Sequence, residues 1–220
     1  SVNNISEKKI LLSTKTYMGL LMIGKLILAS SSKIRKQLLN NANVPFISIE
    51  PNIDEDAVKS SLLLEKYPLR DVADALAELK ASKISSKHPD SLVLGCDQIL
   101  EFNGAILEKP GSKALAVEQL IKISGKKHTA HSAAVIYENR VPVWRFVGKA
   151  DLILRNSSER YIFDYVSRNW DNIKSSVGGY QIEEEGCRLI QKISGDYFSV
   201  LGMPLLEIVN FLSIKGIIDG

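Results

Sequence analysis

Cysteine and histidine are both scarce in this sequence, and each shortage closes off a class of chemistry. The two cysteines, Cys96 and Cys187, stand far apart and in no Cys-x-x-Cys arrangement. That argues against a zinc site or a disulfide framework and fits a reducing cytoplasm, with both thiols read as small buried hydrophobes. There are three histidines. His88 precedes a proline in an expected loop, and His128 and His131 lie three apart in an expected strand. Opposite faces of the strand then separate the latter two, so they make a poor metal pair. None sits in a setting that suggests a nucleophilic triad.

Long apolar runs are missing as well. "YMGLLMIGKLILAS" (17–30) comes nearest to the roughly 18 residues a membrane span needs, but Lys25 interrupts it. A secretory leader, with Lys8, Lys9 and Lys15 ahead of that stretch, is disfavoured because "LAS" continues directly into a strand–helix pattern. A strong charge bias is absent too. The 28 basic and 25 acidic residues leave a formal +3, which argues against general nucleic-acid binding yet permits a local basic pocket. No repeat, low-complexity tract or long linker appears.

The 220 residues that remain to be explained are 45% hydrophobic. A chain of this size can bury about 70% of its unfolded surface, enough for a core without staples. Residues 1–20 read as an N-terminal extension, with Met22 a natural alternative start, and residues 21–220 as one domain or two small lobes sharing a core. "KLILAS" (25–30) is an expected strand, and "SSKIRKQLLNNA" (31–42) a helix with serines at its N-cap and Ile34, Leu38 and Leu39 on one face. "FISIE" (46–50) alternates as a strand before Pro51, and "PNIDED" (51–56) reads as an acidic loop. Alanine and leucine recur at helical spacing from Arg70 to Ser86, with Lys80 near the end.

A strand with a hairpin turn at Asn103-Gly104 follows. Next come a helix over 112–123 (Leu115, Leu120 and Ile121 inward), two long strands over 127–138 and 141–154, and a helix near 158–168. Residues 175–186 have loop chemistry. The chain closes with "RLIQKI" (188–193), a turn at Gly195, a strand near 197–200 and a helix over 204–215. Strands and helices interleave throughout, so the expected class is α/β, an α+β-like mixed sheet flanked by helices.

Polar groups collect at the ends of these apolar strands, where binding sites form in α/β proteins. In "ASSSKIRK" (29–36) a helix N-terminus joins Ser30, Ser32 and Arg35, a set suited to phosphate, or simply a cap with a solvated arginine. The carboxylates of "IDED" (53–56), Glu55 among them, could hold a hard divalent cation or form a solvated turn. Asp97 interrupts the apolar strand "SLVLGCDQIL" (91–100). Burial there would require a partner or a metal; otherwise it faces water at a strand end. Lys109, kept extended by Pro110, could aim at an anion, and both it and Lys80 could equally be surface lysines. Together these groups suit metal-assisted attack of water on a phosphoanhydride.

Read in order, "LILASSSKIRKQLL", "DED", "LAELKA", "GCDQILEFNGAILEKP", "ISGKKHTAHSAAVI", "GGYQIEEEG" and "ISGDYFSVLGMPLLEI" resemble the Maf (septum formation inhibitor) family of nucleoside triphosphate pyrophosphatases. The resemblance runs from about Lys25 to Gly216. It implies an inosine triphosphate pyrophosphatase-like fold with a cleft between two lobes, often in a homodimer. The implied reaction converts an NTP and water to NMP and pyrophosphate with a divalent cation, Mg²⁺ being the expected ion.

It places the family's proton-accepting aspartate at Asp97 and its acidic-loop glutamate at Glu55, both as metal ligands. Its phosphate-facing lysines fall at Lys80 and Lys109, and its first-loop serines at Ser30 and Ser32. Substrate contacts are expected at Arg35, Gln98 and Glu183. Three places depart from the family pattern: "SKIR" (32–35) keeps only Arg35 of a basic pair, Ser175 and Ser176 replace a charged pair, and Glu183 replaces a glutamine. These bear on base preference rather than reaction type. The expectation is a cytoplasmic enzyme that clears non-standard nucleotides, without a membrane or stable nucleic-acid partner, and the altered loops leave the base unassigned. Two other classes remain compatible with the altered loops: a nucleotide-binding regulator of division without turnover, and an RNA- or protein-binding module that keeps only the fold.

Overall fold

The computed structural model describes residues 26–219. The expected extension over 1–20, the alternative start at Met22 and the lysine at the head of the first expected strand lie outside the described residues. Among these, β1 (Leu26–Ala29), α1 (Lys33–Asn41), β2 (Ile47–Ser48), α2 (Glu55–Leu64) and α3 (Leu69–Ser85) come first. They are followed by β3 (Leu92–Phe102), β4 (Ala105–Leu107), α4 (Lys113–Ile123), β5 (Lys127–Glu138) and β6 (Val141–Leu154). Helix α5 (Glu159–Ile173), 3₁₀ turns at Val177–Gly179 and Glu185–Leu189, β7 (Ile190–Gly195), α6 (Tyr197–Val200) and α7 (Leu205–Ile214) complete the chain.

The strands form one seven-stranded mixed sheet in the order β2-β1-β3-β5-β6-β7, with β4 paired to β3. β1 runs parallel to β2 and β3, and the remaining pairs are antiparallel. The expected α/β class therefore holds. Alternation along the strands sends side chains to two apolar layers. Leu26, Leu28, Leu92, Leu94 and Cys96 face the larger layer, shared with α1, α4, α5 and α7. Ile27, Ala29, Val93 and Ile99 face the other layer, which α3 covers with Val72, Ala73, Leu76, Ala77 and Ala81.

One edge of β3 is interrupted. β1 pairs with Leu92–Gly95 and β4 with Leu100–Phe102, so residues 96–99 have a strand neighbour only on the β5 side. Asp97 lies in that break.

Several local expectations change. The acidic loop is short, because Asp54 caps α2 by accepting from the Ala57 N–H, and Glu55 and Asp56 occupy its first turn. Carboxylates there meet the positive end of the helix dipole. Residues 197–200 form a helical turn rather than a strand, since Asp196 accepts from the backbone N–H of Ser199 and from its hydroxyl. Gly195 is the last residue of β7, opposite Ala150, rather than a turn. Leu115 and Ile121 point outward on α4; Ala116, Leu120 and Ile123 point in. The strand expected over 46–50 shortens to two residues, and α5 extends to Ile173. No described helix is long and apolar enough to cross a membrane.

Candidate active site

Gly95 sets how closely α3 approaches the sheet. A Cβ on this residue would collide with the Ala77 carbonyl oxygen and lie 2.7 Å from the Ala81 nitrogen. The helix backbone thus rests directly on β3, a close approach that a glycine inside a strand allows. Lys80 belongs to the same turn of α3 and is buried. Two residues beyond Gly95 on the same face of β3, Asp97 is buried as well. Lys80 Nζ donates to Asp97 Oδ1 at 2.6 Å and lies 3.0 Å from Glu55 Oε1. Glu55, at the start of α2, keeps a half-exposed side chain.

This corrects the reading of Lys80 as a helix-surface charge. Leu76 lies four residues before it and Ala73 seven, so Lys80 falls on the helix's buried stripe. It also removes the water-facing alternative for Asp97. Burial pushes the Asp97 carboxyl above the usual carboxylate range; the Lys80 and Arg35 charges pull it back down, and Glu55 adds to the rise. A raised carboxyl is a better proton acceptor.

Arg35 fills the break in β3. Its Nη1 donates to the Cys96 carbonyl at 2.8 Å and to Ser30 Oγ at 3.4 Å, and its Nε donates to the Gly202 carbonyl at 2.8 Å. It is buried, so the solvated-arginine alternative fails. The guanidinium ties the end of β1, the open edge of β3 and the turn after α6 together. Ser30 Oγ also accepts from the Ser32 N–H, and Ser32 caps α1. Gln98 points to the opposite face of β3 from Asp97. Its Nε2 donates to the Ser199 and Val200 carbonyls at 3.0 and 2.9 Å and reaches Ser132 Oγ at 3.1 Å. The contacts that Gln98 makes fasten α6.

Two expected site residues are not joined to this cluster. Lys109 is exposed at the end of the β3–β4 hairpin, and no hydrogen bond or ion pair links it to Asp97. Its neighbour Glu108 pairs with Lys59 on α2 at 2.8 Å. Glu183 is exposed between the two 3₁₀ turns, where its charge adds to burial in raising the Tyr197 phenol. The cysteines divide. Cys96 is fully buried, its thiol pushed up to about 11 by that burial, while Cys187 is exposed rather than a core residue. His128 and His131 do face opposite sides of β5. His128 Nε2 lies 2.6 Å from the Tyr180 hydroxyl, and His131 Nε2 lies 2.8 Å from Glu101 Oε2.

Gly95 and the buried position of Arg35 were not singled out from the sequence. A glycine between Leu94 and Cys96 inside an apolar strand is itself a signal of close backbone approach. Arg35 carried no comparable signal, because its acceptors lie far along the chain.

A family model described as "Maf-like protein" matches residues 25–214. The chain belongs to the Maf family. Among curated relatives, a protein of Ruegeria pomeroyi named "Nucleoside triphosphate pyrophosphatase" is 58% identical over 88% of this chain and 98% of its own length. One of Roseobacter denitrificans with the same name is 51% identical over 87% of this chain and 96% of its own. A "7-methyl-GTP pyrophosphatase" of Brucella abortus is 42% identical over 90% of this chain and all of its own length. The Maf match thus spans every element that builds the cluster, from β1 through α7.

Proposed function

We infer that this Maf-family chain is a nucleoside triphosphate pyrophosphatase, a hydrolase that converts an NTP and water to NMP and pyrophosphate. The names of its relatives support the reaction class. The observation that carries the reading to particular residues is the buried Lys80 ammonium shared by Asp97 and Glu55 in the break of β3.

Asp97 serves as proton acceptor. It takes a proton from water as the water oxygen bonds to the α-phosphorus, and the bond from that phosphorus to the bridging oxygen breaks to release pyrophosphate. General-base assistance of this kind contributes roughly 10²- to 10⁴-fold. Positioning and charge neutralisation supply the remainder. Lys80 and Lys109 face the phosphates, with Ser30 and Ser32 at the N-terminus of α1. Arg35 and Gln98 set the strand end and the α6 turn around the substrate. Glu183, an exposed carboxylate, faces base or sugar rather than phosphate.

Oxygen donors from Asp97 and Glu55 converge on one cationic point, at 2.6 and 3.0 Å from Lys80 Nζ. Two carboxylates suit a hard ion such as Mg²⁺, which is commonly held by one or two carboxylates plus phosphates. Asp97 and Glu55 would hold the divalent cation, which would neutralise charge on the triphosphate. Non-standard nucleotides as targets, a cytoplasmic location, pairing of two copies and the lack of a stable nucleic-acid partner belong to the same proposal. The arrangement as one domain of two lobes belongs to it too.

The test is pyrophosphate release from a panel of common and modified NTPs, 7-methyl-GTP included, with Mg²⁺. Wild type is expected to turn over at least one of them, and Asp97→Asn to lose roughly 10²-fold or more. No turnover on any nucleotide would refute the enzyme reading. Full activity in Asp97→Asn would remove this mechanism and leave the enzyme.

A further inference from the structure

Lys80 has two jobs that conflict. A lysine offered to a triphosphate should be free, yet its ammonium is buried and held by two carboxylates. Those two carboxylates are the groups a divalent cation would need. We propose that Lys80 is a resident occupant of the cation position: it holds Asp97 and Glu55 until a triphosphate arrives, then transfers to phosphate, so the carboxylate pair accepts a divalent cation only together with substrate. The proposal rests on the pyrophosphatase reading and deepens it by fixing the order of events.

Three observations carry it. The first is geometric, since one Nζ satisfies both carboxylates at 2.6 and 3.0 Å while the residue is only 5% exposed. Two neighbouring carboxylates, the buried Asp97 and the half-exposed Glu55, would repel without a counter-charge, so the ammonium is what allows them to stand close. The second is the nature of the side chain. An ammonium is a compact charge on a flexible four-carbon stem, able to exchange partners without moving its helix.

The third is how Glu55 is mounted. Helix α2 carries Glu55 in its first turn and has no buried residue. Its partly buried Val58 and Leu62 pack against the layer that α3 covers, and its N-terminal end is tethered by polar links: Lys80 to Glu55, Lys59 to Glu108, and Lys83 to the Asn52 carbonyl before the helix. Glu55 stands ahead of Val58 and Leu62, so releasing it from Lys80 leaves their packing in place while the first turn of α2 follows Glu55 to a new partner. A tether of this kind makes α2 the element that registers the exchange.

The test is Mn²⁺ binding to the nucleotide-free protein, followed by the EPR signal of free Mn²⁺, with amide hydrogen exchange across residues 55–64. Mn²⁺ alone should bind wild type weakly and leave exchange in α2 unchanged. Mn²⁺ with inorganic tripolyphosphate should change that exchange. Lys80→Met should bind Mn²⁺ alone about tenfold more tightly or better, because the competing ammonium is gone, and Lys80→Arg should restore weak binding. Wild type that binds Mn²⁺ as tightly as Lys80→Met, or whose α2 responds to Mn²⁺ alone, overturns the proposal. The wild-type exchange arm decides the matter even where Lys80→Met fails to fold. Failure here would leave pyrophosphate release intact, whereas absence of turnover would strike the underlying reading instead.

Discussion

Replacing Gly95 with alanine adds one methyl group at the point where α3 lies against β3. The new Cβ would meet the Ala77 carbonyl oxygen, the Ala81 nitrogen at 2.7 Å and the Ala81 Cβ at 2.9 Å. Two of these are main-chain atoms, so no side chain can swing aside and α3 has to lift. Comfortable separation between carbon-sized atoms begins at about 3.5 Å, which sets a displacement of about 1 Å. Overpacking costs about 1–3 kcal/mol, and a rigid helix backbone places this site near the upper end. At about 2–4 °C per kcal/mol for a chain of this length, Tm should fall by about 6–12 °C.

The same shift carries Lys80 away from Asp97. A misplacement of about 1 Å at a catalytic group can lower turnover on the order of 10²-fold. Thermal melting followed by circular dichroism, with pyrophosphate release measured at 25 °C where the variant remains folded, reads both effects. A Gly95→Ala protein that melts within about 2 °C of wild type and keeps its turnover would refute the claim that glycine is there for the helix.

Burial holds the His128 imidazole down at about 4 from 6.5, with the Asp151 charge working the other way. The folded pKa is depressed, so the unfolded chain binds the proton first. Stability from this group is full above pH 6.5 and declines by about 3 kcal/mol as pH falls toward 4. Urea midpoints at pH 7 and pH 4.5 should show that slope in wild type and lose it in His128→Gln. Arg35→Met leaves the Cys96 and Gly202 carbonyls without their donor, and unsatisfied buried groups cost about 1–3 kcal/mol each. Denaturant unfolding should register the loss, and unchanged stability would place Arg35 outside the scaffold. Removing the Lys59 side chain with Lys59→Ala frees one end of α2 from Glu108; faster amide exchange across residues 55–64 with an unchanged melting temperature is the expected result.

Much of the fold was legible because its signals are local. Ser32 and Ser112 cap helices, Asn103-Gly104 turns a hairpin, and the 3.6-residue period of α3 runs from Val72 to Ile84. Where reading from sequence failed, a side chain had chosen a competing local role. Asp54 caps a helix that looked like an acidic loop, and Asp196 winds a helical turn in a segment with strand composition. The candidate residues Asp97, Glu55 and Lys80 could be named from their types and order, but their convergence could not. It depends on the distance between α3 and β3, which Gly95 sets through a contact that no period in the sequence displays.

The break in β3 explains why the charges gather at this point of the strand. Between β1 and β4, residues 96–99 lack a strand neighbour on one edge. A buried carbonyl at such a place needs a donor from elsewhere. Arg35 supplies it to Cys96, and the guanidinium brought in for that purpose is also one of the two cations that lower the Asp97 carboxyl. The backbone's unmet hydrogen bond therefore recruits a charge that helps a buried carboxylate exist. Elsewhere along β3, closed strand edges leave no comparable demand for a donor. An aspartate there would have to find its cations without help from the main chain, and burial would drive it neutral. The gap in the sheet is thus the physical reason that a second cation reaches the buried Asp97 carboxyl in a strand that is otherwise mostly apolar.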